Sequence, residues 1–219
     1  MKVTLNENVL TDNQKAADFN REQFSRRNIL VINLMSSPGA GKTTLLEKTV
    51  AHFASDFRIG VIEGDLATEI DADRIRAHGA QAVQINTGGG CHLDARMVVK
   101  VLPQLDLDAI DILFIENVGN LVCPSGYDLG QTHKIAVLSV PEGNDKIPKY
   151  PVMYRRTEMV LLNKIDLLPY LNFNVQQAEI DLQGINPQST LMTLSAVTGE
   201  GMDEWYSWVR SAYLKCQAV

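Results

Sequence analysis

Ile29-Leu30-Val31-Ile32-Asn33-Leu34-Met35-Ser36-Ser37-Pro38-Gly39-Ala40-Gly41-Lys42-Thr43-Thr44-Leu45-Leu46-Glu47 is the stretch on which the reading of this chain turns. Its first third is dense in Ile, Leu and Val, the composition of a strand buried on both faces. The continuation through Lys48-Thr49-Val50-Ala51-His52-Phe53 spaces its apolar residues for one face of a helix. Between the two lies a Gly-rich turn ending in Gly41-Lys42-Thr43. Backbone N–H groups of such a turn point inward at a helix N-terminus, where the aligned peptide dipoles favour an anion. The pattern predicts a phosphate cradle made by Pro38, Gly39, Ala40, Gly41, Lys42, Thr43 and Thr44. The Lys42 ammonium would meet the β- and γ-phosphates and the Thr43 hydroxyl a Mg²⁺ ion. The usual pattern has glycine six positions before the lysine, and here Ser36 stands there. The loop is a variant with its Gly-Lys-Thr intact.

Composition sets the frame. The 219 residues are 45% hydrophobic and 21% charged, which suits a globular chain with a sizeable core. A net charge of −6 gives no basic footprint for nucleic acid. The N-terminal residues lack the apolar core of a signal peptide, and no run is long enough to span a bilayer. Three cysteines without a C-x-x-C pair argue against a disulfide framework and for a reducing cytoplasm.

Residues 11–27 read as a polar helix with a sparse stripe of Ala16, Phe19 and Phe24, so residues 1–27 form a helical arm and 28–219 the main domain. The arm reads as an edge-packing helix, with a dimerisation arm as the alternative. Within the main domain, apolar strands are expected at 58–65, 81–86, 111–116, 135–140, 159–163 and 190–194. Helices are expected at 69–78, 93–102, 175–184 and 202–216, and a long connecting loop at 141–151. Strands alternating with helices predict an α/β fold of the P-loop NTPase kind, a mostly parallel sheet with helices on both faces. Ligands on such sheets bind beyond the carboxyl ends of the strands. The unusual residues fall there: 36–44, Asp65, 116–119 and 163–166.

Asn163-Lys164-Ile165-Asp166 follows an apolar strand. A carboxylate there accepts from both the N1–H and the 2-amino group of guanine, whereas adenine would leave it unpaired, at about 1–3 kcal/mol. With Ser195-Ala196 after the next strand, this reads as the base-binding end of a GTP site. Glu116-Asn117-Val118-Gly119 has the spacing of a switch that senses the γ-phosphate, with Glu116 holding a water on Mg²⁺ and Gly119 bringing its N–H close. Asn120 stands where many GTPases carry a water-positioning glutamine, which predicts slow hydrolysis. Asp65 is the first candidate for a further Mg²⁺ contact or for orienting the attacking water, and Asp71 the second. Lys42, Asp65, Asp71 and Glu116 are thus the catalytic candidates. Cys91-His92 at a Gly-rich strand end, with Cys123 just past the switch, offers thiolate and imidazole donors suited to Ni²⁺ or Zn²⁺. Buried structural residues are the plainer reading of that pair. Three ligands leave a coordination shell incomplete, and a dimer would complete it.

Taken together, Ser36-Ser37-Pro38-Gly39-Ala40-Gly41-Lys42-Thr43-Thr44-Leu45-Leu46-Glu47, Val61-Ile62-Glu63-Gly64-Asp65, Cys91-His92-Leu93, Ile115-Glu116-Asn117-Val118-Gly119-Asn120-Leu121-Val122-Cys123-Pro124 and Asn163-Lys164-Ile165-Asp166-Leu167-Leu168-Pro169-Tyr170 resemble the hydrogenase nickel-incorporation GTPase family. The resemblance runs from about Phe19 to Val209. It implies a GTPase that binds GTP or GDP with Mg²⁺, dimerises on GTP binding, and carries a Ni²⁺ or Zn²⁺ site of Cys91, His92 and Cys123 at the dimer interface. It further implies nickel delivery to the precursor of the nickel–iron hydrogenase large subunit, with a second maturation factor as partner. No cysteine and no histidine precedes His52, so the nickel-storage segments of some family members are not expected here. The related urease nickel GTPase carries a Cys-Pro-His unit; Ser125 after Cys123-Pro124 favours the hydrogenase branch. The remaining alternatives are a nucleotide-gated regulatory switch without a metal role and an ATP-dependent kinase using the same loop, against which Asn163–Asp166 argues.

Overall fold

The computed structural model describes the backbone of residues 5–65 and 70–218, and side chains over 11–64 and 73–218. Seven strands make one sheet: β1 (Leu30–Ser36), β2 (Ile59–Asp65), β3 (Gln81–Asn86), β4 (Ile112–Glu116), β5 (His133–Ser139), β6 (Met159–Asn163) and β7 (Thr190–Thr193). Their order is β3-β2-β4-β1-β5-β6-β7, and every neighbouring pair is parallel. The sheet is therefore wholly parallel. The phosphate loop leaves its central strand, with β4 on one side and β5 on the other.

Every residue of β1 is buried, as a strand covered on both faces requires. Its side chains alternate between two layers. Leu30, Ile32 and Leu34 pack with Leu45, Leu46, Val50 and Phe53 of α2 (Lys42–Phe53) and with Trp205 and Val209 of α8 (Met202–Gln217). Val31, on the other face, joins Phe24 of α1 (Leu5–Ser25) and Val98 of α4 (Ala95–Val101). Between those helices in sequence run α3 (Ile70–Arg76), the single-turn helices α5 (Lys146–Lys149) and α6 (Pro151–Tyr154), and α7 (Val175–Ile185). The expected loop 141–151 is thus partly helical. Ile147 sinks into the core there, and Asn144 is tied to Asn174 in both directions.

The aromatics of the last helix pack on the core. Trp205 is fully buried and donates its indole N–H to Thr49 Oγ1 at 2.9 Å. Two histidines serve as surface packing residues. His52 stacks on Tyr206, and His133 bonds Glu158 at 2.6 Å.

α1 departs from its expected face. Phe19 points outward, and the inward row is Asn13, Ala17, Asn20 and Phe24. The asparagines are inside because they meet backbone that needs partners. Asn20 Nδ2 donates to the carbonyls of Ala95 and Leu129, both at 3.0 Å, and Asn13 Oδ1 accepts from the Ala95 N–H at 2.9 Å. Gly130 lets the helix lie this close; a β-carbon there would stand 2.7 Å from the Ala17 carbonyl oxygen.

Candidate nucleotide and metal site

The phosphate loop turns on Gly39 and Gly41, both in the left-handed region at φ 75° and 95°. Gly41 is doubly constrained, since a β-carbon there would lie 2.5 Å from Asn163 Nδ2. Lys42 opens α2 and is only 6% exposed. Its ammonium donates to Ser36 Oγ at 2.6 Å. The residue that departs from the usual loop pattern thus serves as a partner of the loop lysine. Ser37 is tethered from outside, its hydroxyl donating to Glu142, which also accepts from the Ser139 N–H and hydroxyl at 2.8 Å each.

Thr43 Oγ1 donates to Glu116 Oε1 at 2.9 Å. Glu116 closes β4, and its register partner on β2 is Glu63. The two buried carboxylates stand side by side at adjacent strand ends. With Pro38, Lys42, Thr43 and Gly119 they line a cleft of roughly 230 Å³. Paired carboxylates beside a threonine hydroxyl form a hard-oxygen donor set of the kind Mg²⁺ takes. Sequence reading passed over Glu63 for the strand-terminal Asp65. The signal available was a carboxylate inside an otherwise apolar strand, where an ionised group persists only with partners. The side chains of Asp65 and Asp71 lie outside the described residues.

Gly119 sits on the phosphate loop: a β-carbon there would be 2.9 Å from Pro38 Cα and N. Asn120 turns its carboxamide away from the cleft, its Oδ1 accepting from the N–H groups of Val122 at 2.7 Å and Cys123 at 3.2 Å. At the opposite end of the cradle, Asn163 Nδ2 donates to Ala40 O at 2.9 Å, and its Oδ1 accepts from the Ala196 N–H at 3.1 Å. Lys164, at φ 63°, donates its ammonium to Gly39 O at 2.7 Å. Asp166 Oδ1 accepts from the Ser195 hydroxyl at 2.6 Å, which orients that carboxylate. The four expected base-end residues and Ala196 therefore form one connected group joined to Gly39 and Ala40.

Cys91, His92 and Cys123 come together from two loops, with one donor atom from each all within 4.8 Å of one another. His92 Nδ1 lies 3.5 Å from Cys91 Sγ, and the ring stacks on Tyr127 at 4.0 Å. Burial lowers the imidazole pKa, which favours the neutral, ligating form. The neighbouring Cys91 thiol raises that of Cys123. Two sulfur donors and an imidazole suit a borderline or soft divalent ion and leave a fourth position open. The segment after Cys123 is anchored from below. The half-buried Lys134 ammonium, its pKa lowered by desolvation, donates to Tyr127 O at 2.9 Å, and Arg156 donates to Ser125 O at 3.2 Å. Cys216 lies half-buried at the end of α8, packed against the core and not in this cluster.

The family described as CobW/HypB/UreG, nucleotide-binding domain, matches residues 30–193 of the chain, from β1 to the end of β7. The hydrogenase maturation factor HypB of Escherichia coli strain K12 is 53% identical over 203 residues, covering 93% of this chain and 70% of that protein. The chain belongs to the HypB family. Two solved HypB structures superpose closely. The Archaeoglobus fulgidus protein is 35% identical with a TM-score of 0.88, covering 93% of this chain and 100% of that one. Helicobacter pylori HypB, solved in complex with nickel, is 40% identical with a TM-score of 0.89, covering 93% and 96%. A P-loop nucleotide-binding domain of HypB type accounts for every motif on the carboxyl edge of the sheet. Among the described residues no helix is long and apolar enough to cross a membrane.

Proposed function

We propose that this chain is a GTP-hydrolysing metallochaperone that couples its nucleotide state to the binding and release of nickel during maturation of nickel–iron hydrogenase. GTP lies with its base against Asp166 and Lys164 and its phosphates along residues 38–44. Water attacks the γ-phosphorus, the bond to the β–γ bridging oxygen breaks, and GDP and phosphate leave. Lys42 and the N-terminus of α2 stabilise the charge on the transferring group. Thr43, Glu116 and Glu63 are the residues that would hold Mg²⁺, which neutralises the β- and γ-oxygens when bound. With no carboxamide from position 120 aimed at the cleft, intrinsic turnover is slow.

One observation carries the coupling. Residues 116–123 run from the Thr43–Glu116 hydrogen bond, across Gly119 pressed on Pro38, to the ligand Cys123. A γ-phosphate that draws Gly119 inward moves a metal ligand a few residues on. Cys91, His92 and Cys123 take nickel as cargo, with zinc as the competing ion, and a second copy of the chain completes the shell in a GTP-bound homodimer. The receiving partners are a second maturation factor and the hydrogenase large-subunit precursor. The nickel-bound structure of the Helicobacter pylori relative supports nickel, and the family supports hydrogenase. The test measures Ni²⁺ affinity, bound metal and oligomeric state side by side with GDP and with a non-hydrolysable GTP analogue. Equal nickel affinities refute the coupling. A Cys123→Ser chain that matures hydrogenase normally would instead support a regulatory switch without a metal role.

A further inference from the structure

Two asparagines flank Gly119, and both turn their side chains toward the metal-ligating loops. Asn117 is 1% exposed. Its Oδ1 accepts from the Leu93 N–H at 3.1 Å and from the Val118 N–H at 3.0 Å, two donors that fix the orientation of the amide. Leu93 follows His92 directly. Its side chain fills the space above Gly64, where a β-carbon would lie 2.7 Å from Leu93 Cγ. Leu93 is thus wedged between the end of β2 and the segment leaving β4. Asn120 holds the other arm through the Val122 and Cys123 N–H groups. One asparagine grips the backbone carrying Cys91-His92 and the other grips the backbone carrying Cys123. Between them Gly119 rests on the phosphate loop. Hydrogen bonds weaken steeply with distance and angle, so a small displacement of 116–119 either drags both arms along or lets them go.

Asn33, fully buried on β1, touches the same amide from behind. Asn117 Nδ2 reaches Asn33 Oδ1 only at 3.4 Å, whereas Asn117 Oδ1 holds the Leu93 N–H at 3.1 Å. The Leu93 bond is therefore the firmer of the two, and it is the one on which a shift of 116–119 acts.

We propose that Asn117 and Asn120 are positioning residues that transmit the nucleotide state to the metal ligands, Asn117 through the Leu93 N–H and Asn120 through the Cys123 N–H. The proposal rests on the metal-release reading above and names how it is executed. The experiment titrates the full chain with Ni²⁺ at saturating GDP–Mg²⁺ and at a saturating non-hydrolysable GTP analogue, and reads the ratio of the two affinities. Asn117→Leu and Asn120→Leu remove the acceptor at similar volume; Asn117→Asp and Asn120→Asp keep it. Wild type shows a ratio departing from one by about tenfold or more. The leucine variants fall to a ratio near one and the aspartate variants retain most of it. A leucine variant that keeps the wild-type ratio, or an aspartate variant that loses it as completely as its leucine counterpart, overturns the assignment. Amide exchange of Leu93 in the unmodified chain gives a second reading, free of folding effects: its protection changes by about tenfold between the nucleotide states, and equal protection overturns the role of Asn117. A wild-type ratio of one refutes the metal-release reading itself, and is recognised before any variant is made.

Discussion

Gly119→Ala isolates the contact between switch and phosphate loop. The backbone at Gly119 is outside the left-handed region, so alanine can adopt it and the demand is for space alone. The new methyl carbon would lie 2.9 Å from Pro38 Cα and N and 3.1 Å from Pro38 Cγ. Carbon atoms settle at about 3.5–4.0 Å, so the segment must retreat by roughly 0.5–1 Å. Pro38 offers little relief, because its ring fixes φ and the loop beyond it is bonded to Asn163 and Lys164. Overpacking of this kind costs about 1–3 kcal/mol. It falls on the state in which 116–119 closes over the γ-phosphate, since the GDP form does not require closure. The expected result is a loss of about 5–150-fold in affinity for a non-hydrolysable GTP analogue, with GDP affinity little changed. Isothermal titration with both nucleotides reads the two values directly. A variant that keeps the wild-type preference for the analogue over GDP would refute both the geometry and the role given to Gly119.

Gly184→Ala is the contrasting case. Gly184 lies in α7 with nothing within 4 Å of the added carbon, so thermal denaturation is expected to show a Tm raised by about 1–4 °C. Asp166→Ala removes the carboxylate proposed to select the base and leaves the Ser195 hydroxyl without its acceptor. GDP competition against ADP is expected to lose about 5–150-fold of its selectivity, and an unchanged preference for guanine would reopen an ATP-dependent reading. Asp111 accepts three hydrogen bonds from Arg58, through its backbone N–H, Nε and Nη2, and that guanidinium holds the carboxyl below its ordinary value near 3.8. A carboxylate with a lowered folded-state pKa contributes stability above its unfolded value and loses it as the pH falls through the folded one. Asp111→Asn is therefore expected to be less stable than wild type at neutral pH, with urea midpoints that converge below about pH 4.

Much of the molecule was legible from residue order because its signals are local. A strand buried on both faces declares itself by unbroken apolar character, and the cradle by glycines that must reach left-handed φ next to a lysine. Asn163, Lys164 and Asp166 are recognisable because their spacing is their function. What escaped was decided by contacts far apart in sequence. Glu63 becomes part of the site only because the register puts it beside Glu116. Ser36 read as a variation on the loop pattern, and its part as a partner of Lys42 needed the fold. On α1, counting apolar residues turned Phe19 inward, whereas the helix buries Asn13 and Asn20 because the carbonyls and N–H groups at 95 and 128–129 need partners. Asn117 was legible only as a switch residue and Asn120 only as a replacement for a water-positioning glutamine; which backbone N–H each one meets needed the fold.

The welded base end has a consequence for how the molecule can respond. Asn163 and Lys164 bond the main chain of Ala40 and Gly39, and Gly41 has no room to shift against Asn163. One wall of the nucleotide cleft is consequently stiff. The opposite wall, at 116–119, meets the phosphate loop through the Thr43–Glu116 hydrogen bond and the tight contact of Gly119 on Pro38, and no bond joins its Val118–Gly119 end to the loop main chain among those described. In any body with one rigid and one compliant side, a load applied between them displaces the compliant side. On the proposed function, an extra phosphate in this cleft therefore does its mechanical work on the segment that continues to Cys123, and the chain needs no separate device to choose the direction.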